Sequence, residues 1–122
     1  MNGCYSPLVP DKTLANFGHS GFTEYGVLTT DVGSFERGKS PYGVYDMAGN
    51  VWEWVADWYD ENYYSKSPAR NPKGPTSGEY RVLRGGSFVD ITDFIRSAYR
   101  LWYAPTFRGV GIGFRCAQDV PK

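Results

Sequence analysis

Apolar and polar positions alternate most regularly between Val51 and Tyr59. At a period of two, Trp52, Trp54, Ala56 and Trp58 fall on one face, opposite Val51, Glu53, Val55 and Asp57. A helical period pairs Trp54 with Trp58 but sends Val51 and Val55 to a different side from Trp52, and bulky aromatics suit a pleated, half-buried surface. The pattern predicts a strand. The β-branched run Val27–Phe35 predicts another short strand, and Arg81–Phe88 a third that ends in the Gly85-Gly86 turn. Arg96–Tyr103 and Gly111–Ala117 give two more short alternations. Residues 1–26 read as coil, and Glu36–Tyr42, with Gly38, Ser40 and Pro41, as a turn region. Residues 60–80 hold Pro68, Pro72 and Pro75 and read as a long, mobile surface excursion. The expectation is a mixed, loop-dominated fold with several short strands and no internal repeat.

Composition narrows the function classes. A chain of 122 residues is one domain or part of one. Aromatics make up 17% of it, with Gly 15 and Pro 8, so an irregular core with many turns is expected. The formal net charge of +0 argues against a dedicated nucleic-acid binder, which needs a basic excess to neutralise phosphates. No apolar run approaches the roughly 20 residues that span a bilayer, so no membrane partner is expected. Met1–Tyr5 lacks the basic and then apolar pattern of a signal peptide, which leaves localisation open.

Cys4 and Cys116 lie near opposite ends, where a disulfide would close almost the whole chain and two thiols are an equal alternative. No Cys or His spacing suggests zinc. Lone His19 sits in a Gly/Ser loop and reads as solvated. Arg81, Arg84, Arg96, Arg100, Arg108 and Arg115 face only Asp90 and Asp93 between residues 81 and 115. They could form an anion site, but with zero net charge the favoured reading is stacking on aromatics and forking onto carbonyls and carboxylates.

Gly43-Val44-Tyr45-Asp46-Met47-Ala48-Gly49-Asn50-Val51-Trp52-Glu53-Trp54 resembles the signature of the formylglycine-generating-enzyme/sulfatase-modifying-factor family. Arg81-Val82-Leu83-Arg84-Gly85-Gly86-Ser87-Phe88, Arg96-Ser97-Ala98-Tyr99-Arg100 and Gly113-Phe114-Arg115-Cys116-Ala117 continue the resemblance in the family's order. The match covers residues 16–117 and corresponds to the C-terminal half of such a domain. It implies an α+β, loop-rich, C-type-lectin-like fold truncated at its N-terminus, with residues 1–122 as a single partial domain.

The resemblance also implies chemistry, and the sequence departs from it. Active relatives follow the Gly-Gly-Ser turn with two cysteines that bind copper(I), a soft ion that prefers thiolates. Those places hold Asp90 and Ile95, and the cleft Asn of the family is Gly111, so no copper is expected. The cleft residues carried over are Trp52 and Ser87, with Asp90 and Phe94 beside them. Calcium is implied at Asp46, Gly49, Val51 and Glu53, the Gly and Val acting through carbonyls, since calcium takes roughly six to eight oxygen ligands. The competing reading has Asp46 and Glu53 capping the turn or pairing with arginines. A second calcium site maps onto Asn16, Phe17, Glu24 and Gly26.

These points lead to a non-catalytic family member, a ligand- or protein-binding accessory module whose binding face is built from Phe88–Ile95 and Leu101–Val110. An incomplete formylglycine-type or related sulfur-chemistry enzyme is one alternative. A variable protein of a diversity-generating retroelement is the other, because Arg96-Ser97-Ala98, Arg100, Pro105, Arg108 and Ile112-Gly113-Phe114-Arg115 fit that frame. A half-length domain would leave apolar surface uncovered, so a homo-oligomer is expected, with an unknown protein or small-molecule ligand.

Overall fold

The computed structural model describes residues 11–20 and 28–118. Its centre is the aromatic run: β1, Trp52–Trp58, forms the strand that the alternation predicts. β2 (Arg81–Arg84) pairs antiparallel with β1, and β3 (Leu101–Tyr103) pairs antiparallel with β2. β4 (Ile112–Gly113) runs parallel to β1 on its other side, giving the order β3-β2-β1-β4. Both outer strands are short, which limits the unpaired backbone that an edge presents.

The register along β1 is interrupted. Glu53 faces Arg84 and Trp54 faces Leu83, but Trp58 faces Arg81, so β1 carries extra residues between Trp54 and Trp58. A bulge of this kind re-aims side chains. The four residues expected on one face therefore separate: Trp52 is buried, Trp54 and Trp58 are half-buried and Ala56 is exposed.

The core is small and sits at the β1/β2 junction. Trp52, Val82, Leu83 and Phe88 are buried there, joined by Ala15 and Phe17 from the N-terminal segment. The rest is held by loops. Gly49 N–H donates to Gly85 O at 2.8 Å and Asn50 N–H to Asn16 O at 2.7 Å. Gly49 has φ +78°, and a Cβ there would lie 2.3 Å from Asn16 O, so only glycine permits this contact.

Several sequence expectations change. Residues 28–35 form no strand; Thr30 N–H donates instead to Asn50 Oδ1, and Gly33 N–H to an Asp46 carboxylate oxygen. Side chains thus take the backbone partners that a neighbouring strand would supply. Glu36–Gly38 is a 3-10 turn inside the expected turn region. Of Arg96–Tyr103 only β3 is extended, and of Gly111–Ala117 only β4. Residues 60–80 include one short helix, α1 (Tyr63–Lys66), and are otherwise irregular. Together these elements make a small, sheet-dominated, loop-rich domain with little helix. Among the described residues no helix is long and apolar enough to cross a membrane.

The arginines largely do what their geometry favours. Arg81 lies 3.5 Å over the Trp58 ring and donates to Ala56 O. Arg84 donates to the carbonyls of Ser97 and Tyr99 at 3.1 and 2.9 Å. Each uses its Nη1 to tie down backbone carbonyls of the neighbouring segments.

Candidate functional site

The main cleft starts from the turn after β2. Gly85 and Gly86 both have positive φ, and a Cβ on Gly86 would lie 2.7 Å from Ile95 Cγ2. Glycine at position 86 therefore lets the chain pass Ile95 and drop Ser87 and Phe88 into the interior at 2% and 1% exposure. Phe88 N–H donates to Asn50 O at 2.9 Å, which ties this turn to the Gly49-Asn50 loop. Asp90 folds back so that one carboxylate oxygen accepts from Ser87 N–H at 2.8 Å and from the Ser87 hydroxyl.

These residues form one wall of a cleft of 390 Å³. Trp52, Ser87, Asp90 and Phe94 all line it, so the structure brings together the four cleft residues carried over from the family. Leu101 and Tyr103 of β3 face the same space, as alternation along a strand requires. Tyr103 stacks on Phe107 with centroids 4.1 Å apart, and Phe94 meets Tyr99 edge-on at 4.9 Å. Gly111 closes the floor, with its Cβ position 3.3 Å from Ser87 Cβ. Among the described residues the aromatic walls carry one carboxylate and no lysine, arginine, histidine or cysteine, which suits an apolar or cationic ligand. Ile95, the second copper position, packs towards Gly86 and is outside the lining.

A second recess of 240 Å³ lies at the Gly-Asn loop, lined by Asp46, Gly49, Val51 and Glu53. These are the residues implied for calcium. Arg115 already engages them: its Nε and Nη2 hold the two oxygens of Glu53, Nη1 donates to Tyr45 O at 2.9 Å, and Nη2 also donates to Asp46 O at 3.1 Å. The bond to Glu53 raises the Arg115 pKa further above its usual value, so the guanidinium stays charged. Asp46 accepts from Gly33 N–H at 2.8 Å. Glu53, one of the two carboxylates implied for calcium, is thus paired with a guanidinium. The donors fit a guanidinium as they stand, and fit calcium only if Arg115 withdraws.

Among the described residues no group of three or more His, Cys, Asp or Glu is placed to hold a metal. For the second calcium site, Asn16 and Phe17 are buried, and Asn16 Nδ2 donates to Leu28 O and Asn50 Oδ1. Glu24 and Gly26 lie outside the described residues, as does Cys4 of the Cys4/Cys116 pair; Cys116 is exposed. His19 is half-buried, its N–H bonded to Phe88 O. Sequence reasoning missed the central place of Asn50. A signal for it exists, because Asn tolerates the left-handed backbone that follows a Gly in a tight loop.

The domain is thus a small mixed sheet carrying a loop-built aromatic cleft. The family follows from comparison: residues 8–120 match the sulfatase-modifying factor enzyme 1-like domain, and the chain belongs to that family. It is 44% identical over 112 residues to the serine/threonine-protein kinase pkn1 of Chlamydia caviae, covering 90% of this chain and 17% of the relative. It is 40% identical to the formylglycine-generating enzyme of Streptomyces coelicolor, covering 85% of this chain and 34% of that enzyme. It is 35% identical to the hercynine oxygenase of Mycolicibacterium smegmatis, over 91% and 26% respectively. Treponema denticola variable protein 1 superimposes with a TM-score of 0.66 at 36% identity, covering 84% of this chain and 35% of that one. PvdO from Pseudomonas aeruginosa gives 0.69 at 34%, covering 85% and 38%. The chain therefore spans between a sixth and two fifths of the length of these relatives.

Proposed function

We propose that this chain is a non-catalytic, ligand-binding member of its family, using a C-type-lectin-like scaffold to present the cleft between Trp52 and Phe107. One observation carries the reading. Where a copper-binding pair of thiolates would follow the Gly-Gly-Ser turn, Asp90 is bonded to Ser87 and Ile95 packs towards Gly86, and among the described residues no cysteine lines the cleft. A carboxylate is a hard ligand and an isoleucine is none, so a soft cuprous ion has no partner there. The likeness to a variable protein, at 36% identity and a TM-score of 0.66, supports a binding role. The ligand class that the walls favour is an organic cation or a basic side chain, set against Asp90 and the aromatic faces.

Incubation with copper(I) and a cysteine peptide tests the proposal by mass spectrometry. The expected result is an unchanged peptide; protein-dependent loss of mass from aldehyde formation would overturn it. The second reading is an enzyme, favoured by the formylglycine-generating enzymes and hercynine oxygenase among the relatives. It requires the catalytic groups to come from outside these residues.

Two accessory features belong to the same proposal. Calcium enters as a competitor of Arg115 for Glu53. Self-association is supported by the exposed apolar side chain of Phe114 beside the β4 edge.

A further inference from the structure

The strand β3 has two faces. Leu101 and Tyr103 look into the cleft already described, whereas Trp102 lines a separate depression of 360 Å³ with Tyr59, Tyr64, Arg96, Tyr99 and Arg100. Trp102 stacks on Tyr59 with centroids 4.2 Å apart and planes at 14°. The Arg100 guanidinium lies over the rings of Tyr59 and Tyr64, at 5.0 and 4.3 Å. The four side chains make one column, Trp102, Tyr59, Arg100, Tyr64. Its two ends are open, with Trp102 42% and Tyr64 60% exposed.

Among the described residues no carboxylate forms an ion pair with these arginines, although Asp60 is close enough to Arg100 for the two charges to attract. Arg96 Nε donates to Asp93 O at 2.8 Å and Arg100 Nη1 to Asp60 O at 3.4 Å, both backbone carbonyls. Arg84, whose Nη2 reaches Tyr64 Oη at 3.3 Å, is likewise held by carbonyls. The one carboxylate at the rim, Asp60, pairs with Lys66 at 2.9 Å and accepts from Asn62 N–H at 2.8 Å. Among the described residues the ion pairs are Lys39–Glu36, Lys66–Asp60 and Arg115–Glu53, so none involves Arg84, Arg96 or Arg100. Among the described residues the other N–H groups of Arg96 and Arg100 meet no acceptor.

We propose that this depression is a second binding site, for a small ligand with an oxyanion on a flat aromatic body. The guanidinium forks of Arg96 and Arg100 take the phosphate or carboxylate oxygens, because a planar fork matches those groups with paired charge-assisted bonds. The aromatic body extends the column by stacking on the open ring of Trp102 or Tyr64. Site and cleft are opposite in charge and separated by β3, so this inference is independent of the function proposed above.

The test is binding to the intact chain by calorimetry and by tryptophan fluorescence, with phenyl phosphate and benzoate as probes and inorganic phosphate and phenol as controls. Both aryl oxyanions are expected to bind about tenfold or more tightly than either control, and more weakly as salt rises. Arg96→Ala, which gives up only an exposed bond to Asp93 O, is expected to weaken them about tenfold or more while lowering the melting temperature by no more than about 4 °C. Arg100→Lys, which keeps the charge where Arg100→Ala could loosen the fold, is expected to cost affinity because the fork is lost. Trp102→Phe should remove most of the fluorescence response while calorimetric binding persists. Equal binding of phenol and phenyl phosphate, no binding of either aryl oxyanion, or indifference to Arg96→Ala would overturn the inference. Tighter binding of a single-stranded oligonucleotide would overturn it too, by assigning the column to nucleic acid.

Discussion

Asn50 is the residue whose loss the structure makes most costly for its size. It is buried, has φ +66°, and its side chain joins three segments. Asn50 Oδ1 accepts from Asn16 Nδ2 at 3.1 Å and from Thr30 N–H at 3.0 Å, and Asn50 Nδ2 donates to Thr30 O at 3.3 Å. Asn50→Ala removes all three bonds, each worth about 1 kcal/mol net. Alanine in the left-handed region adds about 1 kcal/mol more, since it lacks the polar side chain that eases that conformation for Asn. The sum, about 4 kcal/mol, is a large part of the roughly 5–15 kcal/mol that stabilises a domain. At about 4 °C per kcal/mol for a chain of this size, the melting temperature should fall by about 15 °C. Asn50→Gly loses the same bonds but relieves the backbone, so it should lie between alanine and wild type. Near-ultraviolet circular dichroism across a thermal ramp, repeated as a urea titration, reads both variants. An alanine variant melting within about 3 °C of wild type, under 1 kcal/mol on the same scale, would refute the view that Asn50 is the loop hub. Glycine falling below alanine would refute the backbone part alone.

The remaining expectations concern the same loops and edges. Calcium should raise the wild-type melting point little against chelator, and more in Arg115→Gln, where Glu53 is released; identical midpoints in both proteins would remove calcium from the picture. Phe107→Ala unstacks Tyr103 and should widen the cleft, weakening an organic cation such as tetramethylammonium severalfold, as judged by NMR titration; unchanged affinity would move the site elsewhere. Light scattering at micromolar concentration should give at least twice 13.7 kDa, and a clean monomer mass would show that the exposed edges need no partner.

Local patterning was legible where local physics decides the outcome. The aromatic alternation from Trp52 to Trp58 is a strand because side chains of that bulk fit a pleat and crowd a helix. The Gly85-Gly86 turn was legible because successive positive φ angles favour glycine. The residues that the family motifs imply for a cleft, Trp52, Ser87, Asp90 and Phe94, line one space in the fold. Tertiary contacts decided the rest. The β-branched stretch before Phe35 has the composition of a strand, yet Asn50 and Asp46 satisfy its backbone from distant loops, and sequence statistics do not see those partners. The bulge in β1 depends on how β2 docks, so the faces of Trp54 and Trp58 could not be read from spacing. Glu53 shows the same division most clearly. Its type and position implied either a calcium ligand or a partner for an arginine, and the fold sets a guanidinium 62 residues away in the chain against it. Which of two cations a carboxylate meets is set by distances in the folded chain, and those distances exist only once the strands have paired.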